Sequence, residues 1–238
     1  MSLRLNPHVS VDCVIFGFDG QSLKVLLIDR NYDIPAEKRT APLTLKLPGS
    51  MVYDDEDVDT AANRVLKELT GLENIFLKQF HVFGSPDRLK KEEDLNWLQS
   101  ETQMKIKRVV TIAYYALIKI HNTPSNDSRV VWLDAMNLPE LAFDHNHIVQ
   151  VGLQTLQKEI QHEPIELFEL LPKKFTIRQL QTLYELILGK KLDNRNFRKS
   201  VARGGYIVPV NERERNVSHK PAQYYRFSHS RYLKNQKL

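Results

Sequence analysis

The pattern of apolar and polar positions in the first 150 residues predicts a sheet built from several short strands. Val9–Phe18 is rich in β-branched and aromatic residues and stops at Asp19-Gly20, a pair that is typical of hairpin turns. Leu23–Ile28 is therefore predicted to be its antiparallel partner. Further strands are predicted at Leu43–Leu47, Phe76–Phe83, Val109–Ile120 and Val130–Leu133.

Two helices are predicted between and after these strands. Apolar residues recur at helical spacing over Val58–Leu69, where Asp57 fits the N-cap position and Gly71 the C-cap position. Asp144–Ile160 has a helical pattern and leads out of this part of the chain. Asp87–Lys107 is polar and charged, and we interpret it as a long excursion or a helical insert.

The last third of the chain has a different pattern. Thr176–Leu188 and Asn194–Arg203 are predicted helices, and the short strands Tyr206–Val210 and Gln223–Phe227 enclose the polar loop Asn211–Pro221. Two helices joined by a turn and followed by a hairpin with a charged tip are typical of a winged helix-turn-helix.

Composition and charge refine this division. The chain has 238 residues, 42% hydrophobic and 26% charged, which excludes disordered, coiled-coil and collagen-like proteins. Residues 190–238 hold thirteen Lys and Arg against three Asp and Glu, a net charge of +10, so the other 189 residues carry −5. We expect the basic end to face a polyanion, and we predict two domains, 1–160 and 161–238.

Several features of the chain predict a cytoplasmic protein with no membrane partner. No stretch approaches the roughly 18 consecutive apolar residues of a membrane span. The first residues lack the apolar run of a secretory signal. The single cysteine, Cys13, can form neither an internal disulfide nor a structural zinc site.

Residues 47–72 resemble the Nudix box, whose pattern is G-x5-E-x7-R-E-U-x-E-E-x-G-U with U apolar. The matching residues are Leu47-Pro48-Gly49-Ser50, Glu56, Ala61-Ala62, Arg64, Glu68 and Thr70-Gly71-Leu72. The resemblance implies an α+β protein in which a Nudix-like mixed α/β sandwich is followed by the winged helix-turn-helix domain.

The departures from the box argue against catalysis. Val65 and Leu69 stand where the family has glutamates, and Ser50 replaces the leading glycine. Because hard cations need several oxygen ligands, we expect no catalytic residue, no metal site and no cofactor. Val65 and Leu69 are four residues apart, so they form an apolar helix face, which we predict to leave a pocket that binds a ligand without reacting. Glu68 is interpreted as either an exposed carboxylate or a weak metal ligand.

The second predicted helix of the basic end carries candidate DNA-binding residues. Arg195, Arg198 and Lys199 share one face, and Phe197 and Val201 lie on the other. Arginine reads guanine in the major groove, asparagine reads adenine, and basic loop residues contact phosphates. The predicted DNA-binding residues are Asn194, Arg195, Asn196, Arg198, Lys199, Arg203, Arg213, Arg215, His219 and Lys220.

The basic end also resembles the C-terminal domain of Nudix-related transcription regulators. The segments that carry the likeness are Phe168–Pro172, Phe175-Thr176, Leu180–Glu185, Asn194–Lys199 and Pro221–Phe227. The resemblance implies that the Nudix domain forms a homodimer and senses a ligand, while the winged helix binds double-stranded operator DNA. The degenerate box favours an L-arabinose-responsive repressor of sugar utilisation, as in Bacteroidetes. The alternative is an ADP-ribose-sensing regulator of NAD metabolism.

Candidate effector-binding residues follow from charge and from this resemblance. A sugar or nucleotide needs charged groups for its polar atoms and an aromatic ring beneath it. The candidates are Arg30, Lys46, Glu68, Asp87, Arg88 and Tyr115. Core packing in an alternating strand is an equally good interpretation of Tyr115.

Two further functions stay open from the sequence. One is a Nudix pyrophosphatase that acts on ADP-ribose or a related nucleotide-sugar, against which Val65 and Leu69 argue. The other is an RNA-binding module, which the lack of an aromatic-rich stacking surface disfavours.

Overall fold

The computed structural model describes residues 4–30, 44–120, 129–162, 164–215, 217–218 and 220–235. The strands are β1 (Leu5–Phe18), β2 (Leu23–Asp29), β3 (Leu45–Lys46), β4 (Gly49–Tyr53), β5 (Lys78–Phe83), β6 (Val110–Lys119), β7 (Val130–Asp134), β8 (Phe175–Thr176), β9 (Ile207–Arg213) and β10 (Gln223–Phe227). The helices are α1 (Val58–Thr70), α2 (Glu92–Thr102), α3 (His145–His162), α4 (Ile177–Leu188), α5 (Asn194–Gly204) and α6 (His229–Asn235).

Strand β1 is the centre of the first sheet. It pairs in parallel with β6 from Val9–Val110 to Phe18–Lys119, and β5 lies antiparallel on the far side of β6. The other edge of β1 is shared, because β4 pairs with its N-terminal half and β2 with its C-terminal end. Strands β3 and β7 both pair with β2. This is the mixed sheet that the sequence predicted.

The alternation of side chains along β1 places one helix on each face of the sheet. Val11, Cys13 and Ile15 pack in the core beneath α1, and Val14 and Phe16 belong to the core on the α3 side. Successive strand residues point to opposite faces, so an unbroken apolar run marks a strand that is buried on both sides. The predicted mixed α/β sandwich is confirmed.

The ends of α1 are determined by its capping residues. The Asp57 carboxylate accepts a hydrogen bond from the Thr60 backbone N–H at 2.7 Å. At the other end Gly71 has a φ of 69°, a left-handed conformation that glycine adopts without strain, and donates its N–H to the Lys67 carbonyl. The polar segment Asp87–Lys107 overlaps a 3-10 turn, Pro86–Leu89, and contains α2, so it is a helical insert.

The C-terminal domain is the predicted winged helix-turn-helix. A capping box between Thr176 and Gln179 starts α4, and Asp193 caps α5. Strands β8, β10 and β9 form a small antiparallel sheet in that order. The predicted start of the loop Asn211–Pro221 was wrong. Strand β9 continues to Arg213, which pairs with Gln223 of β10, so residues 211–213 belong to the strand.

The two domains share one continuous core. Buried residues of β1 and α3 belong to the same cluster as Leu180, Leu183 and Ile187 of α4. The side-chain amide of Gln157 on α3 also donates a hydrogen bond to the Ile187 carbonyl at 2.7 Å. Helix α3 ends at His162, and the domain boundary after residue 160 stays a prediction. No helix in the described part of the chain is long and apolar enough to span a membrane.

Candidate functional site

A small cleft lies on the α3 side of the sheet, between β1, β4, the 3-10 turn and α2. We call it the polar cleft, and its walls include Asp12, Lys46, Arg88, Trp97 and His145. Its cavity volume is about 50 Å³. A cavity of this size holds one or two water molecules, whereas small-molecule sites usually measure about 300–1,000 Å³.

Asp12 is the centre of the cleft. Its Oδ2 accepts a hydrogen bond from the Thr111 hydroxyl at 2.7 Å and lies 3.5 Å from Nη2 of Arg88. Arg88 also makes a two-point ion pair with Asp144, with N–O distances of 2.8 and 3.0 Å. Gly49 allows this arrangement, because a Cβ atom there would lie 1.9 Å from Oδ1 of Asp12. Arg88 is therefore a buried cation that contacts two carboxylates, Asp12 and Asp144.

Burial alters the protonation of two further groups in the cleft. Nδ1 of His145 accepts a hydrogen bond from the Leu47 backbone N–H at 2.9 Å. Burial lowers the pKa of His145 to about 4, although the nearby Asp12 carboxylate opposes this shift. Burial likewise lowers the pKa of Lys46 to about 8 against the effect of Asp12. His145 is consequently neutral at pH 7, and Lys46 loses its proton more readily than an exposed lysine does.

An aromatic wall closes the cleft on the side of α2. The Arg30 guanidinium lies over the Trp97 ring, with its Cζ 4.8 Å from the ring centroid, and forms an ion pair with Asp94. The other oxygen of Asp94 accepts a hydrogen bond from the Phe143 backbone N–H. Nε of Arg30 is buried and has no hydrogen-bond partner among the described residues. The wall thus combines an aromatic face with a buried N–H group that is available to a ligand.

The exposed side of α5 has the opposite character. Arg195, Arg198 and Lys199 are exposed, and we call these three residues the basic face. Phe197 is half-buried on the other side, where its ring packs edge-on against Tyr184 with a centroid distance of 5.4 Å. The helix contains no acidic residue. Helix α5 therefore has a positively charged exposed side without acidic residues, and its apolar side packs against α4.

The predicted wing residues lie around the β9–β10 hairpin. Arg213 ends β9, and Arg215 and Lys220 follow in the connection to β10; all three are exposed. Arg203 is exposed in the last turn of α5. His219 lies outside the described residues.

Comparison with known proteins now identifies the family. The NUDIX domain family matches residues 6–151, and the NrtR DNA-binding winged helix domain family matches residues 167–227. The ADPR responsive transcriptional repressor NtrR of Acinetobacter baylyi is 30% identical over 230 residues, which cover 94% of this chain and 83% of the relative. The chain belongs to the NrtR-type, Nudix-related transcription regulators.

Other proteins of the wider Nudix group are also similar to this chain. An ADP-ribose pyrophosphatase of Methanocaldococcus jannaschii is 30% identical over 150 residues, covering 62% of this chain and 74% of that protein. The crystal structure of Shewanella oneidensis NrtR with a 27mer DNA has a TM-score of 0.69 at 23% identity, with 94% of this chain and 95% of that chain covered. A MutT/nudix family protein from Enterococcus faecalis has a TM-score of 0.64 at 24% identity, with 96% and 89% covered. The two structures show that the NrtR-type fold extends over nearly the whole chain.

These matches do not support the L-arabinose branch that the degenerate box favoured. The ADP-ribose branch, which was the alternative, is closer to them.

The structure gathers only half of the predicted effector residues. Lys46 and Arg88 line the polar cleft, and Arg30 lies against its aromatic wall. Asp87 does not line it, because this residue is exposed and pairs with Lys90.

Tyr115 does not reach the polar cleft either. Its buried ring lies further along β6, where its hydroxyl is hydrogen-bonded to Glu166 and to Glu159. Tyr115 instead lines a separate cavity of about 330 Å³ together with Lys78 and Glu166, so its effector role stays a prediction. The sequence pattern alone could not separate Tyr115 from the polar cleft, because strand alternation places its side chain on the same face of the sheet as Asp12.

Two carboxylates of the Nudix box form ion pairs with Arg64. Arg64 donates from Nε to Glu56 at 2.9 Å and from Nη1 to Glu68 at 3.1 Å. Burial opposes ionisation of Glu56, but hydrogen bonds from Arg64 and from the Tyr53 backbone outweigh it and lower the pKa of this carboxyl. Glu68 is thus an exposed residue of α1 outside the polar cleft. Within the described residues no group of three or more His, Cys, Asp or Glu is arranged to hold a metal ion.

The apolar helix face does not form the predicted pocket. Val65 is fully buried in the core between α1 and the sheet, and Leu69 packs against the same core. The prediction was wrong because these two positions point towards the sheet, where apolar side chains fill space that a ligand would need. The cleft lies on the opposite face of the sheet from α1.

Sequence reasoning missed Asp12, Trp97, Asp144 and His145. One signal for Asp12 was present: Ser10 and Asp12 are polar residues two apart in an otherwise apolar strand, so they share one face. Trp97 lies in the insert, whose pattern is too weak to show which side faces the sheet.

Proposed function

We propose that this protein is an ADP-ribose-responsive transcriptional repressor. The observation that carries the proposal is its 30% identity, over 94% of this chain, to a relative named as an ADPR responsive transcriptional repressor. The exposed basic face of α5 supports the DNA-binding half of the proposal. The buried cations of the polar cleft support the effector half.

We place the effector in the polar cleft. ADP-ribose offers a diphosphate, for which arginine and lysine are the usual partners, and an adenine ring, for which an aromatic face is suitable. Arg30, Lys46 and Arg88 supply the cations and Trp97 supplies the ring. The cavity of about 50 Å³ is too small for a nucleotide, so binding requires it to widen. Phosphate oxygens would then replace the aspartates as partners of the arginines.

We place the operator against α5 and the wing. A homodimer would present two copies of α5 to successive major grooves of an inverted repeat, because a two-fold protein matches a two-fold site. Arg195 and Arg198 are the proposed groove contacts. The proposed phosphate contacts are Lys199, Arg203, Arg213, Arg215, His219 and Lys220.

The experiment is a gel-shift titration of DNA from the promoters around the protein's own gene, with and without effector. We expect ADP-ribose to change the DNA affinity by about fivefold or more, the scale of ordinary allosteric coupling, and L-arabinose to leave it unchanged. Lys46→Met should weaken the ADP-ribose response. Lys67→Met, which replaces an exposed lysine of α1, is the matched control. A change in DNA affinity with L-arabinose and none with ADP-ribose would contradict the proposed effector and indicate a sugar-sensing regulator.

We also propose that the protein does not hydrolyse ADP-ribose. The engagement of Glu56 and Glu68 by Arg64 supports this, since both remaining box carboxylates already have a cationic partner. Incubation with ADP-ribose and Mg²⁺ or Mn²⁺ should yield no AMP by chromatography. The pyrophosphatase relative makes this the principal competing function. Turnover that Glu68→Gln abolishes would establish it instead.

A further inference from the structure

We infer that Asn194 is a positioning residue for Arg198, rather than a reader of adenine as its residue type suggested. This inference rests on the proposed DNA-binding function. Asn194 and Arg198 are four residues apart on α5, and so lie on the same side of the helix. Oδ1 of Asn194 accepts a hydrogen bond from Nε of Arg198 at 2.8 Å. Both residues are exposed on the side of α5 that faces away from the core.

The hydrogen bond determines which edge of the arginine is available. A guanidinium is a rigid plane with five N–H groups. When Nε is occupied, the two terminal amino groups remain, and they form a fork that matches O6 and N7 of guanine in the major groove. Within the described residues Arg198 has no other hydrogen bond or ion pair. Arg198 is therefore held in an orientation suited to two-point contact with a guanine.

The same hydrogen bond removes Asn194 from direct readout of adenine. Two-point recognition of adenine requires the amide oxygen to accept from N6 while the amide nitrogen donates to N7. The oxygen of Asn194 is already engaged by Arg198. The side chain of Asn196, also exposed on α5, has no hydrogen-bond partner among the described residues. Its amide can therefore recognise adenine, whereas the amide oxygen of Asn194 is already occupied.

Arg195 provides the internal contrast. It is exposed on the same helix, and the described residues supply it with no hydrogen-bond or ion-pair partner. A mobile arginine loses more rotamer freedom when it is fixed against one base, whereas contact with a phosphate tolerates several orientations. Of the two proposed groove contacts, Arg198 is therefore assigned the two-point contact with a base, and Arg195 a contact that depends less on sequence.

The test is selection from a randomised duplex library by the full-length protein and its variants, read as base preference at each position. Arg198→Ala identifies the dependent base pair, where we expect the guanine preference to fall by about tenfold or more. Asn194→Ala should reduce the preference at that same base pair by about threefold or more. Asn194→Asp retains an acceptor oxygen, so it should retain the preference while weakening affinity for all sequences through charge repulsion.

Control variants show whether the effect of Asn194→Ala arises from positioning Arg198, from loss of stability or from a direct base contact. Asp193 caps α5, so Asn194→Ala should keep the wild-type melting temperature. Asn196→Ala should leave the base pair that depends on Arg198 unchanged. An unchanged profile for Asn194→Ala, or a loss confined to another base pair, would overturn the positioning role. If the wild type selects no sequence, the proposed function itself fails, which is a distinct result.

Discussion

The polar cleft and the basic face both depend on arginine, but they use it in opposite environments. In the cleft, Arg88 has a side chain that is 5% exposed and contacts Asp144 and Asp12. On the basic face, Arg195 and Arg198 are exposed and no carboxylate of α5 compensates them. Arg88 is thus paired with carboxylates inside the protein, whereas the arginines of the basic face are exposed to solvent and accessible to a partner.

This difference means that binding costs free energy for different reasons at the two surfaces. A ligand of the cleft must compete with buried ion pairs that are strong in a low dielectric, so binding and rearrangement are coupled. A polyanion at the basic face displaces only water and counterions. Substitutions in the cleft should therefore affect stability, and substitutions on the basic face should affect DNA binding without affecting stability.

The largest expected effect is that of Arg88→Met. The change leaves Asp12 and Asp144 without their guanidinium partner, and breaking a buried pair in this way costs about 3–5 kcal/mol. Urea unfolding followed by circular dichroism should show this loss in the free energy of unfolding. Arg195→Met on the basic face is the matched control and should change it by less than about 0.5 kcal/mol. Equal effects of the two variants would refute the contrast.

The second effect is a pH dependence that originates in the cleft. The pKa of His145 is about 4 in the folded protein, against an ordinary value of 6.5. The unfolded chain binds this proton as the pH falls below 6.5, while the folded protein does not until about pH 4. The free energy of unfolding should therefore fall by about 3 kcal/mol over this window through His145 alone.

The check is to repeat urea unfolding between pH 7 and 4 with His145→Asn, which keeps an acceptor for the Leu47 N–H. The difference between wild type and variant should shrink as the pH falls. His81→Asn, a change at an exposed histidine, should give a profile parallel to that of the wild type. A parallel profile for His145→Asn would contradict the assignment of a neutral buried imidazole.

The smallest effect concerns the basic face. Lys199→Ala removes one exposed cation of α5, and each lost phosphate contact lowers the slope of log affinity against log salt concentration by about one unit. Gel-shift titrations at several KCl concentrations measure this slope. Lys67→Ala on α1 should leave it unchanged. A change in base preference for Lys199→Ala would show instead that this lysine contacts a base.

Much of the fold could be predicted because it depends on local patterns. Asp57 and Gly71 mark the ends of α1 through capping chemistry, which acts over three or four residues. The apolar run of β1 and the helical spacing of α4 likewise indicate their burial directly. Helix α5 was predictable for the same reason, because its apolar residues recur at helical spacing on one side and its charged residues on the other.

The polar cleft could not be predicted in the same way because it depends on distant pairings. Asp12 meets Thr111 only because β1 and β6 are parallel neighbours, a pairing that no local periodicity encodes. His145 reaches Asp12 from the start of a helix 133 positions further along the chain. Of the predicted effector residues, Lys46 and Arg88 line the polar cleft, whereas Tyr115, which was suggested by residue type alone, lies elsewhere; their effector role stays a prediction.

The buried core that passes from β1 through α3 into α4 has a thermodynamic consequence. Because side chains from both domains belong to one cluster, neither domain can lose its packing without exposing apolar surface of the other. Heating should therefore produce a single cooperative calorimetric transition, with equal van't Hoff and calorimetric enthalpies. An effector bound in the polar cleft would then raise the melting temperature of the winged helix as well. The DNA-binding domain would thereby register occupancy of a site that it does not touch.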